Sequence, residues 1–155
     1  MRLEVWIPVV FVVIGIGVVI GFIGTNQQVC RDFTQGQVLA GNVTLSVALA
    51  QTPQEQQTGL SGCRSIPPNS GMYFTYTNPT NPQFWMKGML IPIDIIWISG
   101  SQVIGVETHV PAPTDHKTEL LPTYKPPRPV TAVLEVAAGA AAQYGIREGT
   151  PVILK

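Results

Sequence analysis

Residues 5–23 read VWIPVVFVVIGIGVVIGFI, with no charged side chain. As an α-helix such a run spans about 28 Å, close to the hydrocarbon thickness of a bilayer. Few environments other than lipid accept a helix that is apolar on every side. Pro8 falls in the first turn, where its missing N–H breaks no helical bond, and Trp6 sits where an interfacial aromatic belongs. A cleavable signal peptide fits less well. The apolar stretch is long, Arg2 is the sole basic residue before it, and bulky Phe22 precedes the small residue at any cut near Gly24. No lipobox precedes Cys30. Residues 1–24 are therefore expected to form one uncleaved transmembrane helix. The basic amino terminus favours a cytoplasmic tail, which puts the rest of the chain outside the cytoplasm of a single-pass cell-membrane protein. Gly17 and Gly21 match a helix-packing motif, although glycine is common in membrane helices anyway.

The remainder must fold in water. Nine Lys and Arg balance nine Asp and Glu in the whole chain. No basic excess or basic run exists to grip nucleic acid, so nucleic acid is not an expected partner. An apolar content of 45% excludes a disordered chain. Residues 25–41 are polar and read as a juxtamembrane linker, leaving residues 42–155 as a single domain. Glycine and proline are dense throughout, which favours short elements joined by turns.

Residues 43–50 alternate, with Val43, Leu45, Val47 and Leu49 on one face, and predict a half-buried strand. Thr52-Pro53-Gln54-Glu55 is a capping box with proline at the first helical position, so a short helix begins there and ends at Gly59 or Gly62. Strands are expected over 72–76, 83–86 and 93–98, the last apolar on both faces. Gly100-Ser101 turns the chain into a strand over 102–108. A proline-rich stretch over 111–129 shows no periodicity. A strand over 130–136, a helix over 137–144 stopped by Gly145, and a last strand over 151–154 complete the domain. The expected class is mainly β, or α+β with two short helices, as a compact curved sheet or small barrel.

The order Gly59-Leu60, Arg64, Gly71-Met72-x-Phe74, Phe84-Trp85-Met86-Lys87, Ile91-Pro92-Ile93-Asp94-Ile95, Leu134-Glu135-Val136 with Ala138-Gly139, and a closing Gly145-Ile146 and Gly149 resembles a prokaryotic family, domain of unknown function 192. The resemblance covers residues 43–155. It implies a small β-rich fold, often secreted or membrane-anchored, and carries no established activity, cofactor or catalytic residue. Relatives usually have Asn-Thr where this chain has Gly88-Met89, and methionine where it has Ser61.

Asp94 sits among Ile, Pro and Trp, where an unpaired carboxylate is costly. It must reach solvent, pair with a cation such as Lys87 or Arg64, or accept backbone hydrogen bonds. As a structural group it would fix the sheet register. As a functional one it would join Trp85, Lys87 and Arg64 in a binding site for a small polar ligand. Trp85 is either core or the wall of such a groove. Alternation turns Glu135 away from Leu134 and Val136, so it is expected to be solvated. Cys30 and Cys63 can form a disulfide outside the cytoplasm. A catalytic cysteine would need His109 or His116, and no thiol-protease signature surrounds either. His109, Asp115 and His116 lack a recognised metal-ligand spacing, and no phosphate loop or cofactor motif is present. The function expected is a membrane-anchored module binding a small ligand or a membrane-associated protein. The alternative is a hydrolase using Asp94 with Lys87 or Arg64.

Overall fold

The computed structural model describes residues 31–33, 35–114 and 121–155. The anchor expected over residues 5–23 lies outside them, as do Cys30, Asp115 and His116. Among the described residues no helix is long and apolar enough to cross a membrane.

Seven strands form one sheet: β1 (Gly36–Ala40), β2 (Val43–Ala50), β3 (Ser70–Thr80), β5 (Ile93–Ser99), β6 (Gln102–Val110), β8 (Val130–Ala137) and β9 (Val152–Leu154). Their spatial order is β6-β5-β8-β3-β2-β1-β9. Two further strands, β4 (Phe84–Trp85) and β7 (Thr123–Tyr124), pair with each other outside it. The sheet is antiparallel except where β2 and β3 run parallel. Their connection passes through α1 (Pro53–Thr58), as a parallel pair requires a crossover. The capping box of α1 is present, with the Thr52 hydroxyl accepting from the Glu55 N–H and the Glu55 carboxylate from the Thr52 N–H.

One cluster of buried side chains holds Val38, Val47, Tyr73, Ile96, Val103, Leu134, Ile146 and Val152. These come from both edge strands as well as the centre, so the sheet curls towards this face. Val103 exchanges backbone hydrogen bonds with Gly149 and Thr150, and Gln102 bridges to Pro151, which stitches the two edges together at one end. The result is a curled half-barrel. The short helix α2 (Ala140–Gln143) plugs it with Ala140 and Ala141. The outer face carries a second buried cluster that includes Met72, Phe74, Ile95, Trp97 and Val133. It is covered by Phe33, Leu60, Cys63, Ile66, Met86 and Met89, which come from connections rather than from the sheet. Both faces of the central strands are thus dry.

Two expectations change. Residues 36–40, expected as linker, form β1, joined to β2 by the two-residue turn Gly41-Asn42. Gly41 has φ of 59°, the left-handed geometry that a tight hairpin of this length uses. The helix expected over 137–144 shrinks to four residues, because Ala137 still pairs with Ile93 in the sheet. The proline-rich segment contains β7, which proline spacing conceals.

Gly71 explains part of the glycine–methionine pattern at the head of β3. A Cβ built there would lie 2.5 Å from the Glu135 carbonyl oxygen and 3.1 Å from side-chain carbons of Leu134 and Val136. Backbone on a central strand cannot give way as a flexible side chain does. Gly71→Ala is expected to lower stability by about 1–3 kcal/mol in denaturant titration, the usual range for overpacking. An unchanged midpoint would show that β3 and β8 can separate at no cost.

A candidate binding cleft around Glu135

Strand β8 lies between β3 and β5, with Glu135 opposite Met72 on one side and Ile95 on the other. Leu134 and Val136 fill the inside of the half-barrel, so alternation sends Glu135 outwards. That outer face is covered. Glu135 is 6% exposed, and its Oε2 has no hydrogen-bond partner among the described residues. The expectation of a solvated Glu135 fails for this reason: the direction was right, but the face it points to is buried. Val133, two residues earlier on the same face, is apolar and fully buried, and is the sequence signal that the face is dry.

Glu135 lies in a cleft of about 270 Å³. The end of α1 and the residues after it provide one wall, from Gln56 to Ser61. Phe74 and Tyr76 of β3 contribute a second, and Phe84, Trp85 and Lys87 a third. Phe84 is fixed edge-on between Phe74 and Trp97, at centroid distances of 5.0 and 5.5 Å. Gln56 is held by its amide, which donates to the Ala50 and Thr75 carbonyls. The Ser61 hydroxyl donates to the Lys87 carbonyl at 2.6 Å, and Gly62 N–H to the Gly88 carbonyl, tying two walls together. Gly88 has φ of 70°, and a Cβ there would lie 3.2 Å from the Ser61 hydroxyl oxygen. Ser61 and Gly88 are the two places where this chain departs from the pattern it resembles, and here they meet.

Trp85 is a wall of the cleft and not a core residue. It is 45% exposed, and the Lys87 ammonium lies 5.2 Å from its ring centroid. The buried tryptophan of the core is Trp97, whose Nε1 also has no partner among the described residues. Burial raises the Glu135 carboxyl to a pKa of about 8. Burial also raises the Tyr76 phenol, and the charge of Glu135 adds to that, which sets the two groups close together.

Asp94 is elsewhere. It is fully buried opposite Val136, on the inside of the half-barrel. Its two oxygens accept the backbone N–H groups of His109 at 2.8 Å and Ala141 at 3.0 Å. The carboxylate thus clamps β6 and α2 onto β5, and it holds His109 in a left-handed conformation with φ of 53°. Arg64 is exposed and does not line the Glu135 cleft. Of the four residues expected to converge, Trp85 and Lys87 share the cleft, whereas Asp94 and Arg64 do not join them. A hydrolase built on Asp94 with Lys87 or Arg64 has no geometry here. Cys63 is buried and disulfide-bonded. The sequence contains one other cysteine, Cys30, outside the described residues. Among the described residues no group of three or more His, Cys, Asp or Glu could hold a metal ion.

The raised Glu135 pKa makes a stability prediction with a definite sign. Between pH 4.5, the ordinary value, and about 8 the unfolded chain gives up this proton and the folded chain keeps it. Stability from this group is present below pH 4.5 and is lost as pH rises towards 8. Glu135→Gln removes the effect. The melting temperature of the variant relative to wild type is therefore expected to rise across this window and to level off above it. Parallel melting curves from pH 5 to 9 would show that Glu135 ionises normally.

The chain matches the family of domain of unknown function 192, described as an uncharacterized ACR, over residues 36–154. No curated protein matches it. A crystal structure of a protein of unknown function from Novosphingobium aromaticivorans DSM 12444 is similar, with 28% identity and a TM-score of 0.68, covering 76% of this chain and 83% of that one. A protein from Sinorhizobium meliloti 1021, which carries a provisional description as a transcription regulator, has 23% identity and a TM-score of 0.67, covering 77% of this chain and 92% of its own. That second likeness shows the fold alone. From the half-barrel and from a match that spans β1 to β9, this chain belongs to the family of domain of unknown function 192.

Proposed function

We propose that the chain is a binding module held at the outer face of a cell membrane, with the Glu135 cleft taking a small polar ligand. The observation that carries this reading is the Glu135 side chain, which lines an open cleft and whose buried Oε2 has no partner among the described residues. An unsatisfied buried polar atom costs about 1–3 kcal/mol, and a cleft that supplies its missing partner from outside removes that cost. The surroundings suit a ligand rather than a structural water alone. Aromatic rings line the cleft beside amide and hydroxyl groups, the mixture typical of small-molecule sites.

The placement rests on other features. Residues 5–23 have the length and composition of a membrane span. Disulfides persist outside the cytoplasm, and Cys63 is in one. Pairing with Cys30 would tether the domain seven residues beyond Ile23 and hold it close to the bilayer. A binding role needs complementarity alone, whereas an enzyme needs a second tuned group within reach of the reacting atom.

The test is a melting-temperature screen of the full chain in detergent micelles. The compounds are free amino acids, monosaccharides, short amines and neutral polyols. A ligand at a hundred times its Kd stabilises the folded state by about 2.7 kcal/mol. At least one compound is expected to raise the wild-type melting temperature and to lose that effect in Trp85→Ala. A shift that survives Trp85→Ala undiminished would place binding outside the cleft. No shift from any class would contradict the reading.

A further inference from the structure

The chemistry of the ligand can be narrowed. Deepening the reading above, we propose that the cleft takes an organic ammonium, with its N–H donating to the Glu135 carboxyl and its charge lying among the rings of Tyr76, Phe84 and Trp85. Three observations carry this. The unpartnered atom is a carboxyl oxygen, which once ionised can only accept, and an ionised carboxylate binds a charged donor about twice as strongly as a neutral one. The walls are aromatic, with Phe74, Tyr76, Phe84 and Trp85 all bordering the cleft, and π-faces attract cations. A cation already uses one of these rings. Lys87 sits over Trp85, so this ring does bind an ammonium, although the charge of Lys87 itself opposes a second cation.

The charged and titratable groups around Glu135 fit the same account. Tyr76 of β3 is a neutral phenol at ordinary pH, its pKa raised by burial. Lys87, after β4, has its ammonium at the Trp85 ring. The α1 wall contributes the uncharged Gln56 and Gln57. Glu107 of β6 is opposite Ile95, one strand further along the row that contains Glu135. Arg31 is anchored on the Gly59 carbonyl at the back of the α1 wall. Burial therefore keeps Glu135 protonated near neutral pH, with a pKa of about 8. An arriving ammonium ionises it and releases a proton. Binding is then coupled to pH with a sign that depends on ligand class. An ammonium requires the ionised carboxyl, so its affinity rises with pH until Glu135 has titrated. A neutral ligand that accepts from the protonated carboxyl would bind less well as pH rises.

The probes are n-butylammonium and butan-1-ol, which match in length and differ in charge. Titration calorimetry on the full chain in micelles would be run from pH 6 to 9. Butylammonium is expected to bind with an affinity that rises about tenfold per pH unit below 8 and flattens above. Butan-1-ol is expected to bind at least tenfold more weakly at pH 8. In Glu135→Gln the ammonium affinity should fall at least tenfold and lose its pH dependence. Lys87→Met, at an exposed position, removes a competing cation and should tighten ammonium binding several-fold. Equal or better binding of the alcohol, with affinity falling as pH rises, would overturn the ammonium assignment and leave the cleft as a site for neutral ligands. Absence of binding by both probes at pH 8 would overturn the assignment, and the wider screen would then decide whether any ligand enters.

Discussion

A carboxyl group buried within a seven-stranded sheet, its Oε2 unpaired among the described residues, is the constraint on which the candidate cleft depends. Glu135 has no freedom to escape. Its strand is hydrogen-bonded on both sides, and its neighbours Leu134 and Val136 fill the inside of the half-barrel. A one-residue slip would put Glu135 inside and two large aliphatic side chains outside, which the whole apolar pattern forbids. Gly71 enforces the same register from β3, since it allows the backbone of β3 to approach the Glu135 carbonyl more closely than any side chain permits. The fold therefore delivers a desolvated acid to one fixed point. The connections over the outer face leave a cleft there.

Two buried acids in one sheet have opposite surroundings. Asp94 is more deeply buried than Glu135, yet both of its oxygens are satisfied by backbone N–H groups. Those bonds join β5 to β6 and to the first turn of α2, so Asp94 is spent on the fold. Glu135 Oε2 has no such partner among the described residues. Burial alone does not mark a site. An unmet hydrogen-bond requirement beside open space does so much better, because the folded chain then carries a cost that a ligand can relieve. The cleft walls are stiff for the same reason that the core is. Phe84 is wedged between two rings, Gln56 is held by two carbonyls, and Ser61 ties the α1 wall to Lys87.

Much of the fold was legible in the sequence because local rules and the final packing agree. The alternation in β2, the capping box of α1, the Gly100-Ser101 turn and the glycine stop after α2 all survive into the structure. β1 is hidden in the sequence because it is only five residues long and follows a polar stretch, although the Gly41-Asn42 turn is a usable sign. β7 lies in proline-rich sequence and has meaning only through its partner β4. Trp85 and Lys87 line one cleft, and their place after a loop is the sequence feature that groups them as candidates. The apolar run around Asp94 signals the cost of burying its charge, but the sequence does not say which backbone groups meet it. For Glu135, period-2 alternation gives the direction of the side chain and not what covers it. The cover comes from residues 59–66 and 84–91, distant in sequence, and no local pattern encodes their return.

The most direct measurement is the ionisation of Glu135 itself, followed by the ¹³C shift of its side-chain carboxyl in wild-type protein. A midpoint near 8 would establish a desolvated acid, neutral at physiological pH and ready to be ionised by a cationic partner. A midpoint near the ordinary 4.5 would mean that water or a hidden donor already satisfies Oε2, and the cleft would lose the feature that makes it a site.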